Sequence, residues 1–471
     1  MTSISVLGLG ASGEAAAQLA LKKGGEVYVS DLHTDPNAHA RAQRLREGGA
    51  VVDLGGHDLA RILASEIVVA SPGIPPDAEV LRSMERGGRR WISEPEFAVR
   101  FFQGPLIAIT GTNGKTTVAA LTAHLLRESG FQVGLGGNIG GGLGPAASQL
   151  AFQDPPPDWY VLELSSFQLA AVETLTPSIG VLTNLAPDHL DRYPSVEAYY
   201  ADKAQLFKNA GSESRWVLNQ DDALAMALPG DAAGARFTFS LGTPTGAGAG
   251  VVDGHLVLKG LPGPGARPGP TAEPNFHSTG EDETGGELQP LIPRGSLPLL
   301  GRHNVANALA AAVTARLAGA GLDGIRNGLQ TFSPLPHRLE PVADAGGVLW
   351  VNDSKATNVA AARSAVESLS RPLVLLLGGK DKGEAFAPLA QVLPGRARLA
   401  VLYGEARGRL ARELEGSVPL LEVSEGLEGA VAVARRHARS GDVVLLAPAC
   451  SSFDLFPDYQ ARGERFRELT S

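Results

Sequence analysis

Cysteine is almost missing from this chain: Cys450 is its only one in 471 residues. No internal disulfide can form, so packing and hydrogen bonds alone must hold the fold, as suits a reducing compartment. Long apolar runs are missing too. No uncharged stretch approaches the roughly 18 residues of a membrane span, so no membrane association is expected. Basic charge is in deficit, with 41 Lys and Arg against 50 Asp and Glu and a net charge of −9. That argues against a general nucleic-acid binder, whose phosphate contacts need clustered cations. The opening "MTSISVLGLGASG" has no basic segment ahead of its apolar run and reaches glycine within a few residues. It predicts a strand and a turn, not a signal peptide. The expected setting is the cytoplasm.

What the chain has in quantity is alternation. With 44% apolar and 19% charged residues, its composition is that of ordinary globular domains, and its length suggests about three of them. "ISVLGLG", "EVYVSD" and "EIVVASPG" read as buried strands, with "GEAAAQLALKKG" as a helix stopped by glycine. Such a rhythm predicts parallel sheets with helical crossovers. A second unit opens at "PLIAITGTNGKTTVAALTAHLLRESG", and "WYVLELSS" and "IGVLTNLAPDH" are later strands with polar C-terminal ends. Open α/β sheets place their ligands at those ends. A third unit follows the two prolines of "SPLPHRLEPV", with strands at "VLWVNDS", "PLVLLLGG", "LAVLYG" and "DVVLLAPA". The expectation is an α/β protein of three domains, 1–98, 99–335 and 336–471: a Rossmann-like domain, a central P-loop ATPase-like domain and a second Rossmann-like domain. From Gly242 to Ser296 the chain is rich in Pro, Gly and acid. That predicts an exposed, disordered insertion between two strands, most biased over about 261–296.

Two glycine signals carry chemistry. "AITGTNGKTT" resembles a phosphate loop, yet the usual G-x-x-x-x-G-K-[ST] wants glycine where Ile109 stands, and Gly111 comes two residues late. The strand before it and the helix after it outweigh the mismatch, because successive N–H groups at a helix N-terminus form an anion nest. Lys115 would reach the terminal phosphates of ATP and Thr116 would offer a hydroxyl to Mg²⁺. The second signal, Gly8-x-Gly10-x-x-Gly13 with Asp31 ending the next strand, is a dinucleotide fingerprint. Alone it suggests an NAD-binding, dehydrogenase-type module, although the same geometry holds any diphosphate. Glu163 ends a strand of the central unit and suits a divalent ion with Thr116. His189 suits a second ion or a substrate hydrogen bond. Lys203 lies on an apparent helix, where a solvated lysine is the ordinary expectation, and Cys450 reads as a small buried hydrophobe.

The motifs "TGTNGKTT", "ELSSFQL", "TNLAPDHLDRY", "GRHNVANALAA", "PHRLE", "NDSKATN", "LLGGKDKG" and "APACSSFDLF" stand in the order seen in the Mur ligases of peptidoglycan synthesis. The chain resembles that family over nearly its whole length, and its spellings resemble the branch that adds D-glutamate to UDP-MurNAc-L-Ala. The late glycine is normal there, and the first fingerprint binds a uracil nucleotide instead of NAD. The resemblance implies UDP-substrate contacts from Leu9, Gly10, Ala11, Ser12, Asp31 and Gly73, with Asn138, Ser165, Gln168 and His189 toward the sugar-peptide end. It implies ATP contacts from Gly111, Thr112, Asn113, Gly114, Lys115, Thr116 and Thr117. Asn307 would hold the base, Arg338 the phosphates and Asp353 the ribose. Two Mg²⁺ ions would be held, one by Thr116 and Glu163, the other by His189 with a carbamylated Lys203. Lys355 would sit by the reacting acyl phosphate, completing a catalytic set with Lys115, His189 and Lys203. D-Glutamate would meet Thr357, Ser452, Tyr459 and either Lys380 or Lys382, since "GGKDKG" departs from the family's "GGDGK". Tyr459 stands where the family has Phe. A monomer closing about residues 333–337 is implied. Sister ligases taking another amino acid, or a folylpolyglutamate synthase, are the nearest alternatives, although the "DNPR" signature of the diamino-acid enzymes is missing.

Overall fold

The computed structural model of the chain describes residues 1–75, 78–140, 142–190, 192–263 and 287–470. Its strands form three separate sheets, as alternating strand and helix patterns require. The first sheet contains β1 (Ser3–Leu7), β2 (Glu26–Asp31), β3 (Val51–Leu54), β4 (Ile67–Ala70) and β5 (Ile92–Ser93), in the order β3-β2-β1-β4-β5. All its pairings are parallel. The order reverses between β1 and β4, which opens a crevice at their C-terminal ends.

The second sheet begins with β6 (Leu106–Thr110), β7 (Val133–Gly137), β8 (Trp159–Glu163) and β9 (Ile179–Leu182). It continues with β10 (Arg215–Asn219), β11 (Ala235–Phe239), β12 (Gly248–Val252), β13 (His255–Lys259) and β14 (Leu288–Pro293). The order is β14-β13-β12-β11-β10-β9-β6-β8-β7. β6 lies between β8 and β9, with Ile109 opposite both Glu163 and Val181. This register puts Glu163 and the chain after β9 on either side of the loop that leaves β6. Both faces of β6 are covered: Ile107 and Ile109 join one apolar cluster, Leu106 and Ala108 another. That two-sided burial is why the strand reads as an unbroken apolar run.

The third sheet holds β15 (Glu340–Ala345), β16 (Val348–Asn352), β17 (Leu373–Gly378), β18 (Ala397–Tyr403), β19 (Leu420–Glu422) and β20 (Val443–Ala449), in the order β15-β16-β20-β17-β18-β19. Only β15 runs antiparallel to its neighbour.

The insertion expected from Gly242 to Ser296 needs correction. β12 and β13 are an antiparallel hairpin and β14 pairs with β13, so these strands extend the central sheet. Ala249, Leu256, Leu258 and Ile292 enter its core. Of the narrower span 261–296, residues 264–286 lie outside the described residues. Among those described, no helix is long and apolar enough to cross a membrane.

The first sheet is fastened to the second by a buried carboxylate. Glu96, in the helix Glu94–Val99 that follows β5, is fully buried. It accepts hydrogen bonds from the backbone N–H groups of Glu173, Thr174 and Leu175 and from the Thr174 hydroxyl. Ser93 of β5 adds an N–H bond to Ala171 O at 2.9 Å. Truncating Glu96 would strand these donors and leave Arg100, its 3.2 Å ion-pair partner, without its buried partner. Glu96→Ala is therefore expected to destabilise by about 3 kcal/mol. Urea unfolding checks this, and a loss below about 1 kcal/mol counts against the fastening role.

Candidate active site

The loop after β6 is held from behind by the chain after β9. Thr183 Oγ1 and Asn184 Nδ2 donate to Asn113 O at 2.6 and 3.0 Å, and Asn113 N donates to Asn184 Oδ1 at 2.9 Å. Thr112 N reaches Asn184 O, and Thr112 Oγ1 reaches Ala186 O at 3.0 Å. Gly114 must be glycine: its φ is +84°, and a Cβ there would collide with Asn307 Oδ1. The loop then feeds the helix Lys115–Glu128, leaving N–H groups directed at the space in front. Lys115 Nζ curls back to Gly111 O and Thr112 O at 3.0 and 2.7 Å. Burial lowers its pKa, opposed by Glu163 and Asp188.

That space is a cavity of about 700 Å³. Thr112, Asn113, Gly114, Lys115, Thr116, Thr117, Asn138, Glu163, His189 and Asn307 line it from the central sheet. Arg338, Asp353, Lys355, Thr357 and Lys382 line it from the third. Burial raises the Asp353 carboxyl to about 7, although Leu339 N donates to it. Burial, and then the Arg338 charge, brings Lys355 down to about 7. Its ammonium lies 3.8 Å from the Tyr459 ring centroid. Arg338 itself stands between two residues of positive φ, His337 at 63° and Leu339 at 42°.

Glu163 is buried, and its Oε2 has no hydrogen-bond partner. A lone buried carboxylate oxygen beside a phosphate loop and Thr116 fits a hard cation. Mg²⁺ takes few protein ligands, since it keeps waters and phosphate oxygens in its shell. Lys203, expected to be solvated if read alone, is buried behind the loop. Its Nζ donates to Gly111 O at 2.8 Å over the Tyr199 ring. Burial, and then Lys115, pushes its pKa well down. His189, at φ 56°, packs edge-on against Phe167 and Tyr199.

A second cavity, of about 720 Å³, lies at the β1/β4 crevice. Leu9, Gly10, Ala11, Ser12, Asp31 and Gly73 all line it. Asp31 is already engaged: one oxygen accepts from Leu9 N, the other from His33 N and the His33 ring. Burial opposes its charge, but these bonds hold its pKa below the usual value. It shapes the glycine turn.

Several expected residues sit elsewhere. Lys380 is exposed, and it is Lys382 that enters the cavity. Ser165 and Gln168 bond each other in a capping box and line neither large cavity. Ser452 is buried and Tyr459 lies beneath Lys355, both outside the cavity walls. Asn307 lines the cavity and abuts Gly114 of the phosphate loop.

Sequence reasoning missed the residue that joins the sheets. Asp188 is buried, with Lys382 Nζ at 3.2 Å from Oδ1 and Asn358 Nδ2 at 3.1 Å from Oδ2. Burial works against its charge, yet Lys382, His189 and Asn358 hold its pKa down to about 2. Asn358 also reaches Asn113 Oδ1 at 3.4 Å. Asp188 lies inside "TNLAPDHLDRY", and its only linear signal is adjacency to His189.

Comparisons with known proteins agree with this geometry. Residues 2–93 match the family described as Mur ligase MurD-like, N-terminal domain. Residues 109–254 match the Mur ligase middle domain, and 337–450 the Mur ligase glutamate ligase domain. The chain is 40% identical over 476 residues to UDP-N-acetylmuramoylalanine–D-glutamate ligase of Salinibacter ruber, covering 99% of this chain and 97% of that one. It is 39% identical over 468 residues to the enzyme of the same name from Acidobacterium capsulatum, covering 99% and 95%. The chain belongs to the Mur ligase family. Solved Mur ligases share its fold. MurF ligase from Thermotoga maritima, in complex with ADP, superposes at a TM-score of 0.59 with 15% identity over 94% of each chain. The MurC ligase of the same organism gives 0.55 with 18% identity over 99% of each.

In this Mur ligase the bonds to Asp188 dock the third sheet on the phosphate loop. Asp188→Asn removes the charge that Lys382 pairs with. A larger radius of gyration in ligand-free small-angle scattering is expected, and a profile identical to wild type would remove Asp188 from the docking contact.

Proposed function

We propose that this Mur ligase joins D-glutamate to UDP-N-acetylmuramoyl-L-alanine at the expense of ATP, in cytoplasmic peptidoglycan precursor synthesis. The observation that carries the reading is the single cavity in which the phosphate loop faces Lys355 and Lys382 of the third sheet. The two D-glutamate ligases at 39–40% identity supply the choice of amino acid.

A carboxylate resists attack by an amine, so it must first gain a leaving group. The γ-phosphoryl group passes from ATP to the L-alanyl carboxylate, giving ADP and an acyl phosphate. The D-glutamate amine then attacks the acyl carbon, and a tetrahedral intermediate expels phosphate as the nitrogen loses its proton. No side chain need be a nucleophile, so the residues serve by positioning and by charge. Lys115 and the N–H groups of Gly111–Thr117 cradle the phosphates, joined by Arg338, while Lys355 meets the acyl phosphate. Asp353 holds the ribose. Asn307, which also touches Gly114, holds the base in this reading. Leu9, Gly10, Ala11, Ser12 and Gly73 hold the uridine diphosphate, and Asn138 and His189 face the sugar-peptide end. Thr357 and Lys382 bind D-glutamate, with Ser452 and Tyr459 supporting them.

Thr116 and Glu163 would hold one Mg²⁺, and His189 with a carbamylated Lys203 a second. When bound there, the ions would neutralise charge on the phosphate oxygens. The depressed pKa of Lys203 supports carbamylation, because only the neutral amine attacks CO₂. That step forms the N–C bond and releases one proton. The functional domains are 1–98, 99–335 and 336–471. The chain works as a monomer, and the third domain swings about residues 333–337. A dehydrogenase-type reading is disfavoured by the match of residues 2–93 to the Mur ligase MurD-like N-terminal domain.

The deciding experiment is phosphate release with UDP-N-acetylmuramoyl-L-alanine, D-glutamate and ATP, each omitted in turn. Release is expected only with all three present. Lys115→Ala should lose ligation at least 1,000-fold, on the order of charge-stabilising groups in phosphoryl transfer, while keeping its unfolding midpoint. Appreciable ligation by that variant removes the loop's assigned role. Lys203→Ala should be inactive and partly rescued by added short-chain carboxylates. Full activity of that variant without additive would rule out the carbamate.

A further inference from the structure

Among the described residues, Arg462 is the only arginine in the set of largest fully buried side chains, at 0% exposure. It lies on the helix Tyr459–Thr470, behind the third sheet's loops. Four hydrogen bonds run from it, and none goes to a carboxylate. Nε donates to Ser354 Oγ at 3.0 Å and Nη2 to Ser354 O at 2.9 Å. Nη1 donates to Cys450 O and Ser451 O, each at 3.2 Å. Ser354 Oγ passes its own proton to Tyr459 O at 2.8 Å, which returns the link to the helix that carries the arginine.

The partners are not scattered. Ser354 lies in the loop after β16, between Asp353 and Lys355. Cys450 and Ser451 lie in the loop after β20, next to Ser452. A third loop, after β17, also closes on the guanidinium. Gly379 has φ +129°, and a Cβ there would lie 3.0 Å from Arg462 Nη1, so the backbone leading to Lys382 passes against the arginine. Lys380 N in turn donates to Ser451 O at 2.9 Å. A buried guanidinium with no carboxylate hydrogen-bonded to it, and only the nearby charge of Asp454 to offset its burial, is costly, and a core that only needed filling would take Leu or Met. What Arg alone supplies is a planar fork of donors that satisfies carbonyls from separate loops at fixed spacing.

We infer that Arg462 is a positioning residue for the amino-acid site: it sets the spacing of the loops that present Lys355 and Thr357, Lys382, and Ser452 to D-glutamate. This rests on the D-glutamate ligase reading given above. D-Glutamate must meet all three loops at once, whereas the UDP substrate sits chiefly on the first sheet, which Arg462 does not touch.

The test is steady-state kinetics on the full chain, varying each substrate in turn. Wild type establishes ligation of D-glutamate, and its failure to ligate would sink the function while leaving the variants uninterpreted as ligases. With wild type active, Arg462→Met is expected to raise KM for D-glutamate tenfold or more and to leave KM for the UDP substrate within twofold. Arg462→Lys keeps the charge but not the fork, so its KM for D-glutamate should stay raised. Ser354→Ala removes one arm of the network and should give a smaller rise of the same kind. It carries the test if Arg462→Met does not accumulate as folded protein. Loss of kcat with an unchanged KM for D-glutamate in these variants, or an equal rise in every KM, would overturn the inference in favour of a general structural role.

Discussion

Like charges crowded into one low-dielectric space are the constraint on which the rest of this molecule depends. Lys115, Arg338, Lys355 and Lys382 border one cavity, with Lys203 directly behind it. Glu163 and Asp188 are the carboxylates whose charge acts on both Lys115 and Lys203, while burial raises Asp353, in the same cavity, to about 7. Burial depresses Lys115, Lys203 and Lys355 alike. Such a site is poorly satisfied when empty and is relieved by an anion carrying several charges. The folding problem is to bring these cations together without an acid for each, and two sheets share the load.

The topology makes this affordable. Each parallel sheet offers its site only at the C-terminal ends of its strands, so the N-terminal ends and both faces are free to be packed apolar. The third sheet shows the division clearly. Leu373, Leu375 and Leu377 of β17 pack on one face and Val374 and Leu376 on the other, while the loop that follows carries Lys382. Arg462 belongs to neither part. It is a polar rivet between the packed layer and the reactive loops.

Much of this was legible. β1, β6, β8, β9 and β20 are buried on both faces and appear as plain apolar runs. The glycine loop declared itself through the strand and helix on either side. Edge strands were not legible: β3 and β19 are short, and Val51 and Leu421 are 46% and 38% exposed, which erases the pattern. β12 to β14 were hidden in a stretch biased toward glycine and proline. In the site, Lys382 lines the cavity and pairs with Asp188 across 194 residues, a contact that no local spacing encodes. Ser165 and Gln168 also have a local role. The S-x-x-Q spacing of a capping box was visible, and the structure gives those side chains to the helix end.

The fastening of Glu96 to residues 173–175 bears on geometry during turnover. With the first sheet tied to the second at Ser93 and again at Glu96, the crevice at the β1/β4 ends and the phosphate loop are fastened to each other through the chain around residues 171–175. The offset between the two large cavities is set in part by this contact, like the jaw of a gauge, so a single buried carboxylate that lines neither of them helps to fix how far apart they lie.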